Sequence, residues 1–159
     1  MLSDLEECVP LAKVTSLTLI LLLFAGCGSV PAQKNIDGEW FAQLNNPDQS
    51  QAFWFSTQLS QAKGESVGVS GFTFAPPPPC FSSQTSQTAT FSVSGHSGGF
   101  QTGALAMTIS TTFGTETENV LTLNGTRTSD GTISGSWTLS GLSGCFGNGS
   151  FSMTPPPLV

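Results

Sequence analysis

From Ile36 onwards, apolar and polar residues alternate in short runs separated by Gly, Pro, Asn or Asp. The alternation is clearest in residues 132–140, where apolar residues and glycine occupy one face and Ser or Thr the other. Because side chains point to opposite faces of a strand with a period of two, this pattern predicts β-strands. Eight strands are predicted: Gly38–Leu44, Gln51–Ser60, Ser66–Phe74, Thr88–Gly95, Gly99–Thr111, Asn119–Thr128, Thr132–Ser140 and Gly147–Met153.

The links between these strands are short and contain turn-forming residues, for example Asn46-Pro47-Asp48 and Asp130-Gly131. Such links join consecutive strands as antiparallel hairpins. Eight meandering strands are typical of an up-and-down barrel, which closes on itself and leaves no sheet edge exposed. We therefore predict an all-β fold, an antiparallel barrel of about eight strands over residues 36–154, with a two-sheet β-sandwich as the alternative.

A proline run, Pro76 to Pro79, interrupts this regular spacing and leads into Cys80. Proline cannot donate to a sheet ladder, so we expect extended polyproline II backbone here. Cys80 and Cys145 are the two cysteines of the predicted barrel domain, and in an exported protein such a pair favours a disulfide. Free thiols that bind metal or perform redox chemistry are the alternative, but the pair lacks C-x-x-C spacing. Closing this loop of about 65 residues would stabilise the fold by roughly 4 kcal/mol.

An apolar run of about a dozen residues, 17–27, ends in Ala25-Gly26-Cys27. It is shorter than the roughly 20 residues that a membrane-spanning helix needs, and its length fits the apolar part of a signal peptide. The cysteine after two small residues resembles the lipobox of bacterial lipoproteins. That resemblance implies cleavage before Cys27, diacylglycerol on its sulfur and a further acyl chain, such as palmitate, on the new amino terminus. An ordinary signal peptide, with Cys27 as a plain thiol, is the alternative.

The chain therefore divides into a signal peptide with a helical apolar part (1–26), a lipid-anchored tether (27–35), the barrel domain (36–154) and a Pro-rich tail (155–159). Gly28, rather than Asp, follows Cys27. By resemblance to enterobacterial lipoprotein sorting, this permits delivery to the outer membrane. We expect a location in the bacterial cell envelope.

Charged residues are sparse after residue 26, with seven acidic and three basic side chains. A protein that binds nucleic acid neutralises phosphates with a basic patch, and three scattered bases cannot form one. The same count excludes polybasic attraction to anionic lipids, so the expected membrane contact is the lipid anchor. The charged residues are Lys34, Asp37, Glu39, Asp48, Lys63, Glu65, Glu116, Glu118, Arg127 and Asp130.

The sequence carries little reactive chemistry. Its single histidine, His96, lies in a glycine-rich run that predicts a turn, and a triad hydrolase needs a base held beside a nucleophile. The acid pair Glu116 and Glu118 lies beside a turn glycine, Gly114, so solvated loop charges are the simpler interpretation. We expect no enzymatic activity, no cofactor and no resident metal.

The first strand opens with Gly38-Glu39-Trp40, and a later strand contains Ile133-Ser134-Gly135-Ser136-Trp137. These segments resemble the Gly-x-Trp start of lipocalins and the repeats of avidins. Both families are small β-barrels, and in them the tryptophan packs across the closed end. The resemblance covers about 15 residues and carries over no ligand-binding position.

The three tryptophans are the candidate contacts for a ligand or partner. Trp40 and Trp137 share faces with the predicted interior, so they either line a cavity or fill the core. Trp54 lies between Phe53 and Phe55; if these phenylalanines point inwards, Trp54 points outwards. There it is either covered by a loop such as the proline-rich one, or is part of a binding patch.

Together these features predict a non-enzymatic, lipid-anchored envelope lipoprotein that binds a small apolar ligand. The alternative is a structural or protein-interaction module of the envelope, for example an inhibitor or assembly factor acting through loops such as residues 75–88.

Overall fold

The computed structural model describes residues 35–75, 79–81, 85–113, 116–142 and 144–155. All of them belong to one compact unit, Pro31–Val159. The predicted signal helix, the lipidation site Cys27, the tether up to residue 34, most of the proline run and the end of the tail lie outside the described residues.

Eight strands form in the order that the sequence predicts. Their starts differ most at β4 and β6, which begin three residues earlier than predicted, in polar segments without apolar alternation. At β4 this extension pairs with Ile109–Thr111 of its neighbour. The strands are β1 (Gly38–Asn45), β2 (Gln51–Gln61), β3 (Ser66–Ala75), β4 (Thr85–Ser97), β5 (Phe100–Phe113), β6 (Glu116–Arg127), β7 (Ile133–Gly141) and β8 (Gly147–Thr154), with a 3-10 turn at Pro79–Phe81.

The strands form a closed antiparallel barrel in which each strand pairs with the next one in sequence. Pairing of β8 with β1, which sets Phe41 opposite Thr154, closes the barrel. The prediction of an up-and-down barrel is thereby confirmed, and the alternative of a two-sheet sandwich is wrong. Hairpin links favour this meander, and closure gives each strand a hydrogen-bonding partner on both sides.

The barrel interior is filled with apolar side chains from alternate positions of every strand. Their exposed partners are mostly Ser, Thr, Asn and Gln, so the outer face is polar and nearly uncharged. The interior is dense because it includes many large side chains that are less than 2 % exposed: Trp40, Leu44, Phe55, Leu59, Phe91, Leu105, Met107, Ile109, Leu121, Leu123 and Ile133.

The two ends of the barrel are closed in different ways. The links β1–β2, β3–β4, β5–β6 and β7–β8 lie at one end, here called the disulfide end. There Phe81, on the 3-10 turn, is 4 % exposed and its ring centroid lies 4.8 Å from that of Phe74. Phe74 in turn contacts Phe53, Phe55 and Phe72. This phenylalanine cluster plugs the disulfide end.

The plug lies beside β3 and β4, the neighbouring strands with the fewest paired residues in the described part of the barrel. In the described residues, β3 and β4 share only two paired positions, Ser66 with Thr90 and Val67 with Ala89. By contrast, β4 and β5 pair along nearly their full length. Beyond Val67, β3 still pairs with β2, and aromatic packing takes the place of backbone pairing only on the side that faces β4.

The predicted disulfide is present, with the Cα atoms of Cys80 and Cys145 5.6 Å apart. It joins the β3–β4 link to the β7–β8 link. Because Cys80 immediately precedes Phe81, the bond holds the plug in the barrel mouth.

Candidate functional site

The end at which the chain enters the barrel, opposite the disulfide end, is built around Arg127. This side chain is 2 % exposed and points inwards from β6. Its Nη1 donates to the backbone carbonyl of Asn35 over 2.7 Å, and its Nε donates to that of Gly131 over 3.3 Å. The guanidinium also lies over two aromatic rings, 5.2 Å from the centroid of Trp40 and 5.0 Å from that of Phe100.

Burial lowers the pKa of Arg127 from its ordinary value. An arginine keeps its charge in proteins even so, and carbonyl oxygens and aromatic faces are the partners that compensate a buried guanidinium. Sequence reasoning assigned Arg127 no role. The two-residue period of β6 could have indicated its burial, because Arg127 shares a face with Leu121 and Leu123, which are fully buried. The arrangement closes the entry end of the barrel.

Trp40 and Trp137 are core residues. Trp40 is 1 % exposed, and its indole N–H donates to the carbonyl of Ile36 over 2.8 Å. Trp137 is 3 % exposed, and its N–H donates to the carbonyl of Asn45 over 2.9 Å. Both indole donors are therefore engaged with backbone, and Trp137 packs edge-on against Phe53 at 5.7 Å.

Trp54 occupies the outer face, as the inward orientation of Phe53 and Phe55 requires. Its side chain is 37 % exposed, and so is that of Phe41 on the neighbouring strand. In the β1–β2 register Trp54 pairs with Gln43 and Phe41 pairs with Ser56. The two aromatic residues are therefore diagonal neighbours, within reach of one another across the outer face.

An open groove of about 410 Å³ runs across the outer faces of β8, β1 and β2 at this point. Its volume falls within the roughly 300–1,000 Å³ of typical ligand clefts. The described residues that line it are aromatic, small or polar, and none is charged: Phe41, Ala42, Gln43, Gln51, Trp54, Ser152 and Thr154. We refer to it as the Phe41–Trp54 groove.

A smaller cavity of about 280 Å³ lies further along β1 and β2 and reaches β3; it is lined by Glu39, Thr57, Gln58 and Gly71. Glu39 precedes Phe41 by two positions, so both side chains share the outer face. The register between β2 and β3 shifts between Ser56 and Gln58. Gly71 lies opposite this irregularity with a φ of +59°, a conformation that favours glycine. The bulge thus shapes the second cavity.

A third cavity, of about 440 Å³, lies on the outer face of β4 to β7. Thr90, Ala104, Asn124 and Ser136 are typical of its lining, which consists mostly of small side chains and contains no aromatic residue. A ligand there would meet hydroxyls and methyl groups on a shallow surface. The Phe41–Trp54 groove offers two aromatic rings, which this cavity lacks.

His96 is exposed near the β4–β5 turn, and in the described part of the chain no hydrogen bond joins it to a serine hydroxyl. The described residues hold no cluster of three or more His, Cys, Asp or Glu side chains that is placed to bind a metal ion. Within the same residues, no helix is long and apolar enough to cross a membrane.

The fold and site thus define a closed eight-stranded barrel with a filled interior and an aromatic groove on its outer face. No family model, curated protein or solved structure matches this chain.

Proposed function

We propose that this protein is a non-catalytic, lipid-anchored protein of the bacterial cell envelope that binds its ligand or partner on the outer face of the barrel. The barrel serves as a rigid scaffold. The Phe41–Trp54 groove is its binding surface, and the acylated Cys27 holds the barrel at a membrane. Because Gly28 follows Cys27, we propose that this is the outer membrane.

The observation that carries this proposal is the contrast between the interior and the outer face. Trp40 and Trp137, which would line an internal cavity, are buried against other side chains and have their N–H groups engaged. Trp54 and Phe41 remain 37 % exposed beside a groove. Exposed aromatic residues in a concave surface commonly contribute most of the energy at binding sites. This contrast favours surface binding over an enclosed apolar ligand.

Anchoring is tested by a Cys27→Ser substitution in the native host, with Cys8→Ser as the matched control. The acylated wild type and the Cys8→Ser protein should partition into detergent, and intact mass should show a chain that begins at Cys27 and carries acyl groups. The Cys27→Ser protein should lose the acyl mass and leave the detergent phase. Equal partition of both variants, or a wild-type mass without acyl groups, would contradict the anchor.

Outer-face binding is tested by photo-crosslinking in intact cells. A photoreactive phenylalanine analogue replaces Trp54, and in a matched control it replaces Val93, an exposed residue of β4 that lines none of the three cavities. The position-54 protein should form adducts that the position-93 protein does not. Identical adduct patterns at the two positions would reject the groove as the binding surface.

A second candidate function, a protein-interaction module, is favoured by the β7–β8 link. Leu142 is 63 % exposed and Phe146 is 77 % exposed on either side of the disulfide residue Cys145. The disulfide restrains this link, so apolar side chains are presented at low conformational cost. A Leu142→Ser, Phe146→Ser double variant should lose its protein partner, whereas a Trp54→Ala variant should keep that partner.

A further inference from the structure

We infer that the Phe41–Trp54 groove binds a neutral oligosaccharide segment of a polysaccharide. This inference rests on the proposed function, because it names the ligand class of the same outer-face site. It depends on the aromatic residues, the polar rim and the absence of charge in the groove.

The aromatic residues supply the surfaces on which sugar rings can pack. A pyranose ring has faces of C–H groups, and burying such a face against an aromatic ring removes apolar area from water. Trp54 and Phe41 stand on adjacent strands, and each is partly supported by the sheet and partly exposed. Neither needs to move for a flat ligand to reach it.

The polar rim matches the hydroxyl groups at the edge of a sugar ring, which both donate and accept hydrogen bonds. Gln43 and Gln51 offer amides that do the same, and Ser152 and Thr154 offer hydroxyls. Gln43 Nε2 donates to Asn45 Oδ1 over 3.2 Å, which orients its amide within the groove. Aromatic packing combined with oriented amides is the chemistry that a polyhydroxylated ligand needs.

The lack of charged side chains in the groove favours a neutral glycan over the other ligands that aromatic residues can contact. The described residues that line the groove carry no charge, and the adjoining cavity adds one carboxylate, Glu39. A sulfated or uronic acid polymer would be repelled by Glu39, whereas a neutral hydroxyl can donate to it. Protein interfaces are enriched in methionine and arginine as well as in aromatic residues, and neither methionine nor arginine lines the groove.

The two adjoining cavities indicate more than one sugar unit. Glu39 and Phe41 lie two residues apart on β1, a separation of roughly 6–7 Å along the strand. A chain that packs on Trp54 and Phe41 can therefore continue towards Gln58 and Glu39. This continuity favours an oligosaccharide segment over a free monosaccharide.

The test uses the acylated protein purified from its native host, in a detergent without sugar groups. Cellohexaose, maltohexaose and chitohexaose are the neutral probes, and an alginate hexamer is the anionic one. Binding is followed by calorimetry and by acrylamide quenching of tryptophan fluorescence. Trp54 is the exposed indole, while Trp40 and Trp137 are buried, so a bound glycan should reduce quenching chiefly at Trp54.

At least one neutral hexasaccharide should bind saturably, and the alginate hexamer should bind more weakly. Trp54→Ala should weaken that binding by about tenfold or more, as expected for a central aromatic contact. Trp54→Phe should retain part of the affinity because it keeps an aromatic surface. Val93→Ala should leave the affinity unchanged.

Three results would overturn the inference: no binding of any neutral probe, equal binding by wild type and Trp54→Ala, or tighter binding of the alginate hexamer. Photo-crosslinking then separates the two proposals. Adducts at position 54 without glycan binding would reject the glycan and leave outer-face binding intact. Absence of specific adducts together with absence of glycan binding would reject both.

Discussion

The side-chain amide of Asn119 donates a 2.7 Å hydrogen bond to the backbone carbonyl of Cys80. Its own carbonyl oxygen accepts a 3.2 Å hydrogen bond from the backbone N–H of Leu142. One buried side chain on β6 therefore links the same two loops that the Cys80–Cys145 disulfide joins. Asn119 and the disulfide together hold Phe81 in the barrel mouth.

Asn119→Ala should lower the free energy of unfolding by about 1–3 kcal/mol, because two partly buried backbone groups lose their partner. Asn124→Ala is the control: Asn124 lies on the same strand with an exposed side chain, and its removal should change stability by less than about 0.5 kcal/mol. Urea unfolding followed by near-ultraviolet circular dichroism measures both. Equal stability of the two variants would show that the Asn119 bridge contributes nothing.

The Cys80→Ser, Cys145→Ser double variant should be less stable than the oxidised wild type by about 2–4 kcal/mol, chiefly because its unfolded chain is less restricted. Loss of the bond should also release Phe81, so amide exchange should rise in β3 before it rises in β5 and β6. Reductant should destabilise the wild type and have no effect on the double variant. A uniform rise in exchange over all strands would argue against a local role for the disulfide.

The local part of the fold was predictable from the sequence. Alternation and turn residues specify the strands, and their short links favour the meander that closes at Phe41 and Thr154. Trp54 was placed on the outer face by the inward packing of its two neighbours. The disulfide followed from a count of the cysteines in a domain that the sequence predicts to be exported.

The contacts at the two barrel ends were not predictable in the same way. Phe81 follows a proline run with no strand period, and its packing on Phe74 depends on the path of the chain back into the barrel. Phe41 and Trp54 become diagonal neighbours in the groove only because of the β1–β2 register. Such non-local contacts depend on register and closure, which a pattern within one strand does not specify.

Arg127→Met should lower the free energy of unfolding by roughly 2–4 kcal/mol, since two carbonyl groups lose a charged donor and two rings lose a cation. Arg127→Lys should recover only part of this loss, because an ammonium group lacks the planar fork that reaches both carbonyls. Lys63→Met, at an exposed turn position, is the control. Chemical denaturation of the three variants checks the order, and a lysine variant as stable as wild type would contradict the geometry.

Gly135 allows β6 and β7 to approach closely, so substituting it tests how tightly the barrel interior is packed. A Cβ atom at this position would lie 2.0 Å from the backbone oxygen of Asn124 and 2.5 Å from the Cα of Gly125. Gly135→Ala should therefore cost about 1–3 kcal/mol through overpacking. Gly95→Ala is the matched control, because its nearest neighbour, Thr102 Oγ1, lies at 3.5 Å. Thermal unfolding should separate the two variants, and equal melting temperatures would show that the backbone adjusts.

The turn that supplies the Gly131 carbonyl to Arg127 is held by an acid, Asp130. Its Oδ1 accepts hydrogen bonds from Thr128 Oγ1 at 2.6 Å and from the backbone N–H of Thr132 at 3.0 Å. These bonds, the one from Thr128 first, lower the pKa of Asp130 below its ordinary value of 3.8. The stabilisation is therefore fully present above pH 3.8 and is lost as the pH falls through the lower pKa of the folded state.

Asp130→Asn should accordingly be less stable than wild type near neutral pH, and this difference should shrink as the solution is acidified below pH 3.8. The amide keeps the shape of the turn but loses the negative charge that strengthens both hydrogen bonds. Glu65→Gln is the control, because in the described residues the Glu65 carboxylate accepts no hydrogen bond. Urea unfolding of the three proteins between neutral pH and the acid range measures the difference. A gap between wild type and Asp130→Asn that stays constant with pH would show that the ionised carboxylate does not stabilise this turn.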